Sequence, residues 1–543
     1  MMAQRKKVLL VTSLSLGGNF LHAPPLGLFR LQGFLKKNDV DAVVFDVNAE
    51  PKEDYLDRVA QGEFDVIGFS VAHINMIRDL DLLCSFHREA QKAPKKIYFV
   101  AGGQAATLNF QQYLEAGFEA IFLGFAEKSL LAFLTKLAEE DGKDIPLSEL
   151  CHGIDGVAYL NEKHDLVSRL CPVLTEEDFI KTNYDDVLEM DVPFELYWEK
   201  IGQLSRNIDF QNNRFIIKNV RILTSSPCIK RCGFCSSQSF IKAAQGSLGP
   251  QMMLSAQQVF HLVMHHIEKY GAEGVLFSDD EFLLGGAKGI RRAKEFCRLV
   301  IDAKQSGKMP QEFPFNCQAR VTDFLTQKDK TKKVDRELIH LTKEAGFNVF
   351  GIGVETFTER LLHVPSMNKV GVTVEYSHAV LETLLSVGMI PQINLILLVP
   401  ETTIDEMIET MMTAVDYMKR HCSLAVTPLM NSWPGAPIFG RREYDIRYRE
   451  YYHPLTQKAM KIADYYIPHD PELRKIADHI EPFRDKELAR IKKDTPIEKS
   501  MDAKHFFGLV TLYSIVTLLK RKKERSYFEK LIHEFFPVAP SAK

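Results

Sequence analysis

The sequence predicts an α/β protein: an N-terminal doubly wound parallel sheet, then a run of β/α units, then a helical C-terminal region. Three observations predict it. Short continuous apolar runs alternate with helix-spaced segments over residues 8–137. The alternation resumes at residue 221 and gives six β/α units, too few for a full eight-unit barrel. A less regular stretch separates the two, so the 543 residues divide as 1–140, 141–220, 221–440 and 441–543.

In the first unit, residues 8–11, 42–46, 66–71, 97–101 and 120–123 read as buried strands, each a brief apolar run bounded by turn residues. Segments 27–37, 75–91, 110–116 and 126–137 carry helical spacing, and a polar helix runs through Val59. Ligands of such sheets bind beyond the carboxyl ends of the strands. Ser70, Gly102-Gly103 and Gly124 stand at those ends, where glycine lets a ligand approach the backbone. Glycine also makes tight turns, so flavin, nucleotide or no ligand stay open on this ground alone.

Residues 153–160 and 166–167 read as a hairpin around a polar turn that contains His164, a solvated residue. From 175 to 213 the pattern is irregular and reads as a connection, with Trp198 as packing. In the second unit the strands are 221–224, 274–282, 313–319, 349–356, 391–399 and 424–428. Their carboxyl ends carry Asp279-Asp280-Glu281, Gln318, Arg320 and Glu355. A single acid there is usually a helix cap. A ring of polar ends on apolar strands points to a shared site.

Beyond residue 441 a charged stretch leads into expected helices around 455–466 and 471–479. Residues 505–519 are apolar with helical spacing, followed by basic 520–525, and are too short to span a bilayer. They are expected to close the barrel or cap its site. A membrane-surface helix, giving peripheral membrane contact and admitting a lipid substrate, is the second reading.

The net charge of −3 gives no argument for nucleic-acid binding. The basic N-terminus precedes an apolar run too short for a signal peptide, and nine cysteines in this length are no secreted disulfide framework. A cytoplasmic protein is expected. Cys84, Cys151, Cys171, Cys297, Cys317 and Cys422 read as buried thiols. The other three form Cys228-x3-Cys232-x2-Cys235, directly after a strand. Three thiolates on one loop can hold three irons of a cubane and leave the fourth open to a non-protein ligand. Zinc would call for a second cysteine pair or a suitably spaced histidine, and neither follows.

These residues resemble the radical S-adenosylmethionine (SAM) superfamily, in which this spacing holds a [4Fe–4S] cluster whose unique iron binds SAM. Phe234 fills the aromatic place before the third cysteine. The resemblance implies a partial (β/α)6 barrel and SAM-facing roles for Phe234, Asp279, Asp280, Gln318, Arg320, Gly353 and Glu355. Gly353-Val-Glu355-Thr matches the family's Gly-Ile-Glu-Ser strand. Leu398-Val399-Pro400-Glu401 departs from its Gly-Leu-Pro-Gly ending. The first unit is similar to the cobalamin-binding domain of class B radical SAM enzymes, through Pro24-Pro25-Leu26-Gly27, Gly102-Gly103 and Gly124-x-x-Glu127. That resemblance places Pro25, Leu26, Gly27, Ser70, Gly102, Gly103, Gly124 and Glu127 around cobalamin. No D-x-H-x-x-G motif occurs, as in the branch without a protein ligand below cobalt.

The function so implied is methylation of an unactivated carbon through a 5′-deoxyadenosyl radical and methylcobalamin. Flavodoxin or ferredoxin would be the electron donor, and a small molecule or lipid the substrate. A radical rearrangement, cyclisation or ring formation without methyl transfer is the alternative, and a non-catalytic iron–sulfur ligand sensor is a third.

Overall fold

The computed structural model describes residues 6–13, 23–139, 145–205, 218–284, 286–328, 331–494 and 503–535. The first sheet contains β1 (Lys7–Thr12), β2 (Asp41–Asp46), β3 (Val66–Ser70), β4 (Tyr98–Gly102), β5 (Ala120–Phe122), β6 (Val157–Leu160) and β7 (Leu166–Arg169). Their order is β2-β1-β3-β4-β5-β6-β7. The first five strands run parallel, and their apolar residues are buried on both faces beneath helices. The order reverses between β1 and β3, which makes their carboxyl ends the switch point of the sheet. The hairpin expected in the linker is hydrogen-bonded to this sheet: β6 pairs antiparallel with β5 and covers its otherwise open edge.

The connection after it differs from the irregular stretch expected. It is helical over Glu176–Ile180, Asp186–Glu189 and Phe194–Ser205. Thr175 and Asp178 close a capping box at its start. Trp198 packs there against Phe194, with ring centroids 5.3 Å apart, and donates from Nε1 to the Asn219 carbonyl at 3.1 Å.

The second sheet holds β8 (Asn219–Ile222), β9 (Gly274–Phe277), β10 (Phe315–Arg320), β11 (Phe347–Glu355), β12 (Gln392–Leu398) and β13 (Ser423–Leu429), all parallel and in chain order. No ladder joins β13 back to β8 among the described residues, so the barrel stays open. Its outer residues pack against the intervening helices, and alternate positions face the lumen. The helix Ala503–Leu518 lies on edge strand β13: a Cβ on Gly508 would stand 3.4 Å from Val426. Leu509, Val510, Leu512, Tyr513, Ile515 and Val516 are all buried there. These six apolar residues of the stretch that suggested a membrane face are inside the protein, while Phe507 is exposed. No described helix is long and apolar enough to cross a membrane.

The expected helix at 455–466 is corrected. Ile446–His453 (β14) and Lys458–Tyr466 (β15) form an antiparallel hairpin. It lies on the first domain, and Met460 and Ile462 join that domain's core. Leu455 at its tip packs where Gly117 leaves room, since a Cβ there would come within 2.9 Å. Tyr451 donates to Asp81 at 2.5 Å, and Gln112 donates to the Lys461 carbonyl at 2.9 Å. The hairpin is thus a strap from the barrel back to the first sheet.

Two histidines fasten the strap. His73 Nε2 meets the Ala463 carbonyl at 2.8 Å, and His453 Nε2 meets the Ala116 carbonyl at 2.7 Å. Burial holds both rings below the ordinary value of 6.5. A depressed pKa means the undocked state binds more protons, so docking is favoured above 6.5 and weakens as pH falls below it. Hydrogen exchange in 446–466, corrected for intrinsic rate, is expected to rise as pH drops below about 6.5. The His73→Gln, His453→Gln double variant should lose that dependence.

Candidate metal centre

The cysteine loop leaves the end of β8 and has no ladder of its own between Cys228 and Cys235. Its position is imposed from two sides. On one side Asp279, buried just past β9, accepts from the Thr224 amide at 2.9 Å, the Thr224 hydroxyl at 3.0 Å and the Ser225 hydroxyl at 2.6 Å. Arg292 donates to the Thr224 carbonyl at 3.1 Å and to the Phe282 carbonyl at 2.5 Å. On the other side the Gly233 amide donates to the Met367 carbonyl at 3.0 Å, and Asn368 Nδ2 donates to the Arg231 carbonyl at 2.5 Å. A Cβ on Gly233 would lie 2.1 Å from the Pro365 carbonyl oxygen. Phe234 packs into an apolar cluster with Leu361, Met367, Val399 and Ile438. Asp279, expected beside a ligand, has its oxygens turned inward and bonded to the loop.

Cys228 and Cys232 are buried and Cys235 is half-buried. Burial, with Glu281 and Asp280 adding, pushes the Cys228 thiol far above its usual range, and burial lifts Cys235 to about 11. Ligating a metal would require these thiols to release their protons to solvent. Among the described residues no three His, Cys, Asp or Glu side chains converge on a point that would hold one ion. A cubane takes one thiolate per iron, so its ligands need not converge. The all-sulfur donor set fits an iron–sulfur cluster better than zinc.

Around the loop stand charged groups at the strand ends. Glu355 and Lys369 form a buried ion pair at 2.7 Å, and Lys369 lies 5.9 Å from the Phe234 ring. Glu355 has φ 67, left-handed for a non-glycine residue, and the ladder to β12 slips between Gly353 and Glu355. Such strain, of order 1–3 kcal/mol, persists where the surroundings enforce it. Gly353 leaves room for the pair: a Cβ there would come within 2.6 Å of Glu355 Oε1. Glu281 Oε1 lies 3.7 Å from Cys228 Sγ and 3.6 Å from Arg320 Nε, while its Oε2 is buried without a partner. Burial first, then Asp323, raises the Glu281 carboxyl to about 7. Asp280 is exposed and accepts from the Ser237 hydroxyl. Gln318 is exposed on β10 and accepts from Asn394 at 3.1 Å. Sequence reasoning passed over Lys369 and Gly233, whose partners are distant in the chain. It noted Glu281 but gave it no role.

The switch point of the first sheet lies close by. Gly27 is exposed, with open space beside it, at the head of the helix Leu26–Lys37 that follows Pro25. Ser70 ends β3 and Gly102 ends β4, and Gly103 follows it at φ 97. A Cβ on Gly103 would crowd the Val71 carbonyl at 3.2 Å. These positions form a backbone cradle suited to a ligand that approaches the main chain. Two other expected positions have close protein contacts. Gly124 faces Ala244 of the helix Ser237–Gln245, where a Cβ would collide at 2.8 Å. Glu127 is buried against Arg30, which donates from Nε at 3.1 Å. Gln104 Nε2 donates to the Ser236 hydroxyl at 3.4 Å, so the crevice of the first sheet meets the residue that follows Cys235.

Replacing Asp279 by Ala leaves three loop donors without their acceptor and buried Arg292 without its counter-charge. The change is expected to cost about 3 kcal/mol or more and to reduce iron retained per chain, read by thermal unfolding and metal analysis.

Residues 222–414 match the Radical SAM superfamily, and residues 20–134 match the B12 binding domain. No curated protein matches the chain. Among solved structures it is similar to the cobalamin-dependent S-adenosylmethionine radical enzyme OxsB with aqua-cobalamin bound, at 14% identity and a TM-score of 0.67, covering 98% of this chain and 76% of that one. It is also similar to the radical S-adenosylmethionine methyltransferase TsrM from Kitasatospora setae, at 16% identity and a TM-score of 0.60, covering 97% and 99%. The chain therefore joins a B12-binding domain to a radical SAM domain and has the fold of the cobalamin-dependent radical SAM enzymes.

Proposed function

We propose that this chain is a cobalamin-dependent radical SAM enzyme that methylates an unactivated carbon of its substrate. The observation that carries the reading is the junction of Gln104 with Ser236, where the cradle of the first sheet and the three-cysteine loop share one mouth. Cys228, Cys232 and Cys235 would hold a [4Fe–4S] cluster. Asp280, Glu281, Gln318, Arg320, Gly353 and the Glu355–Lys369 pair would surround SAM. Pro25, Leu26, Gly27, Ser70, Gly102 and Gly103 would border cobalamin. When bound, these groups supply the electron, the radical and the methyl group, chemistry that side chains lack.

The protein's own work is placement. Exposed Asp280 offers a carboxylate at the mouth, where an ammonium group can meet it. Lys369 neutralises Glu355 and fixes its direction in a dry site. The cluster around Phe234 shields one side of the cysteine loop from water. Likeness in fold to a structure named as a methyltransferase supports the methyl-transfer reading. A flavodoxin or ferredoxin would deliver the electron, in the cytoplasm.

Protein purified without oxygen is expected to hold about four irons per chain and, with reductant and a metabolite extract, to cleave methyl-labelled SAM and move the label to a product. Label retained in methionine while the product forms would favour rearrangement. Zinc in the loop, or iron indifferent to SAM, would sink the enzyme reading. Gly353→Ala is expected to slow SAM cleavage by about tenfold or more, because its methyl group displaces Glu355.

A further inference from the structure

Arg221 sits on β8 between Val220 and Ile222, both buried in the helix-side core. Strand alternation puts its side chain on the lumen side, in one row with Leu276 of β9 and Asn316 of β10. Among the described residues nothing pairs with its guanidinium. Nε is buried without an acceptor, and burial lowers the pKa with no carboxylate opposing it. Arg221 is half-buried. Arg292 and Arg320 also leave Nε without an acceptor, but each buried arginine has a charged or carbonyl partner elsewhere. Arg292 donates to Thr224 and Phe282, Arg320 lies beside Glu281, and Arg484 bonds Asp485. The Oδ1 of Asn316, in the same row, is also buried and unpartnered.

The lumen above this row is open and polar. Ser278 and Gln318 are exposed although they belong to inner strands or their ends, so the lumen admits solvent. The Gln318 amide lies across Gly351, where a Cβ would come within 2.3 Å. Asn394 links it onward, donating to Gln318 and accepting from Gln392 at 2.8 Å.

We infer that the barrel lumen binds a small, hydrogen-bonding molecule through a carboxylate or phosphate held on Arg221. A cation half withdrawn from water without a counter-charge is disfavoured, and an anion in the lumen offsets that cost. The planar guanidinium suits two parallel bonds to a carboxylate or phosphate. Gln318 and Asn394 suit a neutral polar part rather than a hydrocarbon chain. This rests on the enzyme reading above only in naming the substrate class of the same barrel.

The test uses the full chain prepared anaerobically and phenylglyoxal, which modifies accessible guanidinium groups. Adduct formation on the Arg221 peptide is followed by mass spectrometry. Inorganic phosphate or acetate is expected to slow it by about fivefold or more, and chloride at equal ionic strength to leave it unchanged. Stronger protection by phosphate marks a phosphate ester, and stronger protection by acetate marks a carboxylate. No labelling of Arg221, no protection by either anion, or equal protection by chloride overturns the inference. SAM cleavage is measured on the same preparation. Cleavage without protection removes the anion site alone. Protection without cleavage keeps the anion site and removes the enzyme reading.

Discussion

The geometry of the metal loop depends on one buried carboxylate reaching between strands. Ile222 of β8 and Phe277 of β9 are in register, so Thr224 and Asp279 leave the sheet side by side. The ladder stops there, and Asp279 takes over by accepting from both residues that begin the loop. A carboxylate in the interior is costly unless donors surround it. Thr224 and Ser225 supply them, and Arg292 ties the same corner to the following helix. The far wall, residues 365–368, arrives only after the fourth strand. Three thiols can be held in place on a segment without regular structure because distant parts of the barrel hold its two ends.

The same loop joins the domains. The helix Ser237–Gln245 leaves it and ends against the first sheet, with Ala244 on Gly124 and its carbonyl accepting from the Cys171 amide at 2.8 Å. From the other direction Leu108 fills the space beside Gly435, after the last barrel strand. The strap β14–β15 closes on the first sheet as well, and its Met460 and Ile462 share one core with Ala244. Glycines that read as ligand turns therefore divide. Gly102 and Gly103 remain at a cradle, while Gly124 serves the domain interface. Glu127, spent on Arg30, belongs with Gly124.

What the sequence made legible follows the same physics. Strands buried on both faces appear as apolar runs whatever surrounds them, so all five parallel strands of the first sheet and all six of the barrel could be read. The strap could not. Residues 448–450 are exposed and charged or polar, and Met460 and Ile462 are core only because another domain covers them. The helices after residue 175 had a local signal, the capping box of Thr175 and Asp178, that an irregular apolar pattern obscured. Cys228, Cys232 and Cys235 were legible because their ligand set is local. Lys369, Gly233 and the fate of Asp279 depend on contacts across the barrel.

The three consecutive acids after β9 show how far a pattern can mislead about roles. Read as a row they offer three equivalent carboxylates. They lie past the end of β9, where the chain bends and turns them to different sides. Asp279 turns inward and becomes an anchor, 2% exposed. Asp280 turns to the mouth, where only Ser237 touches it among the described hydrogen bonds. Glu281 turns inward again but meets Cys228 and Arg320 rather than the loop backbone, and keeps one oxygen without a donor. Lys369 is turned to Glu355 instead. The acceptor capacity left beside the cysteines is therefore one solvent-facing carboxylate and one buried oxygen. A cationic group seated against the loop can satisfy both, and no group of the described protein does.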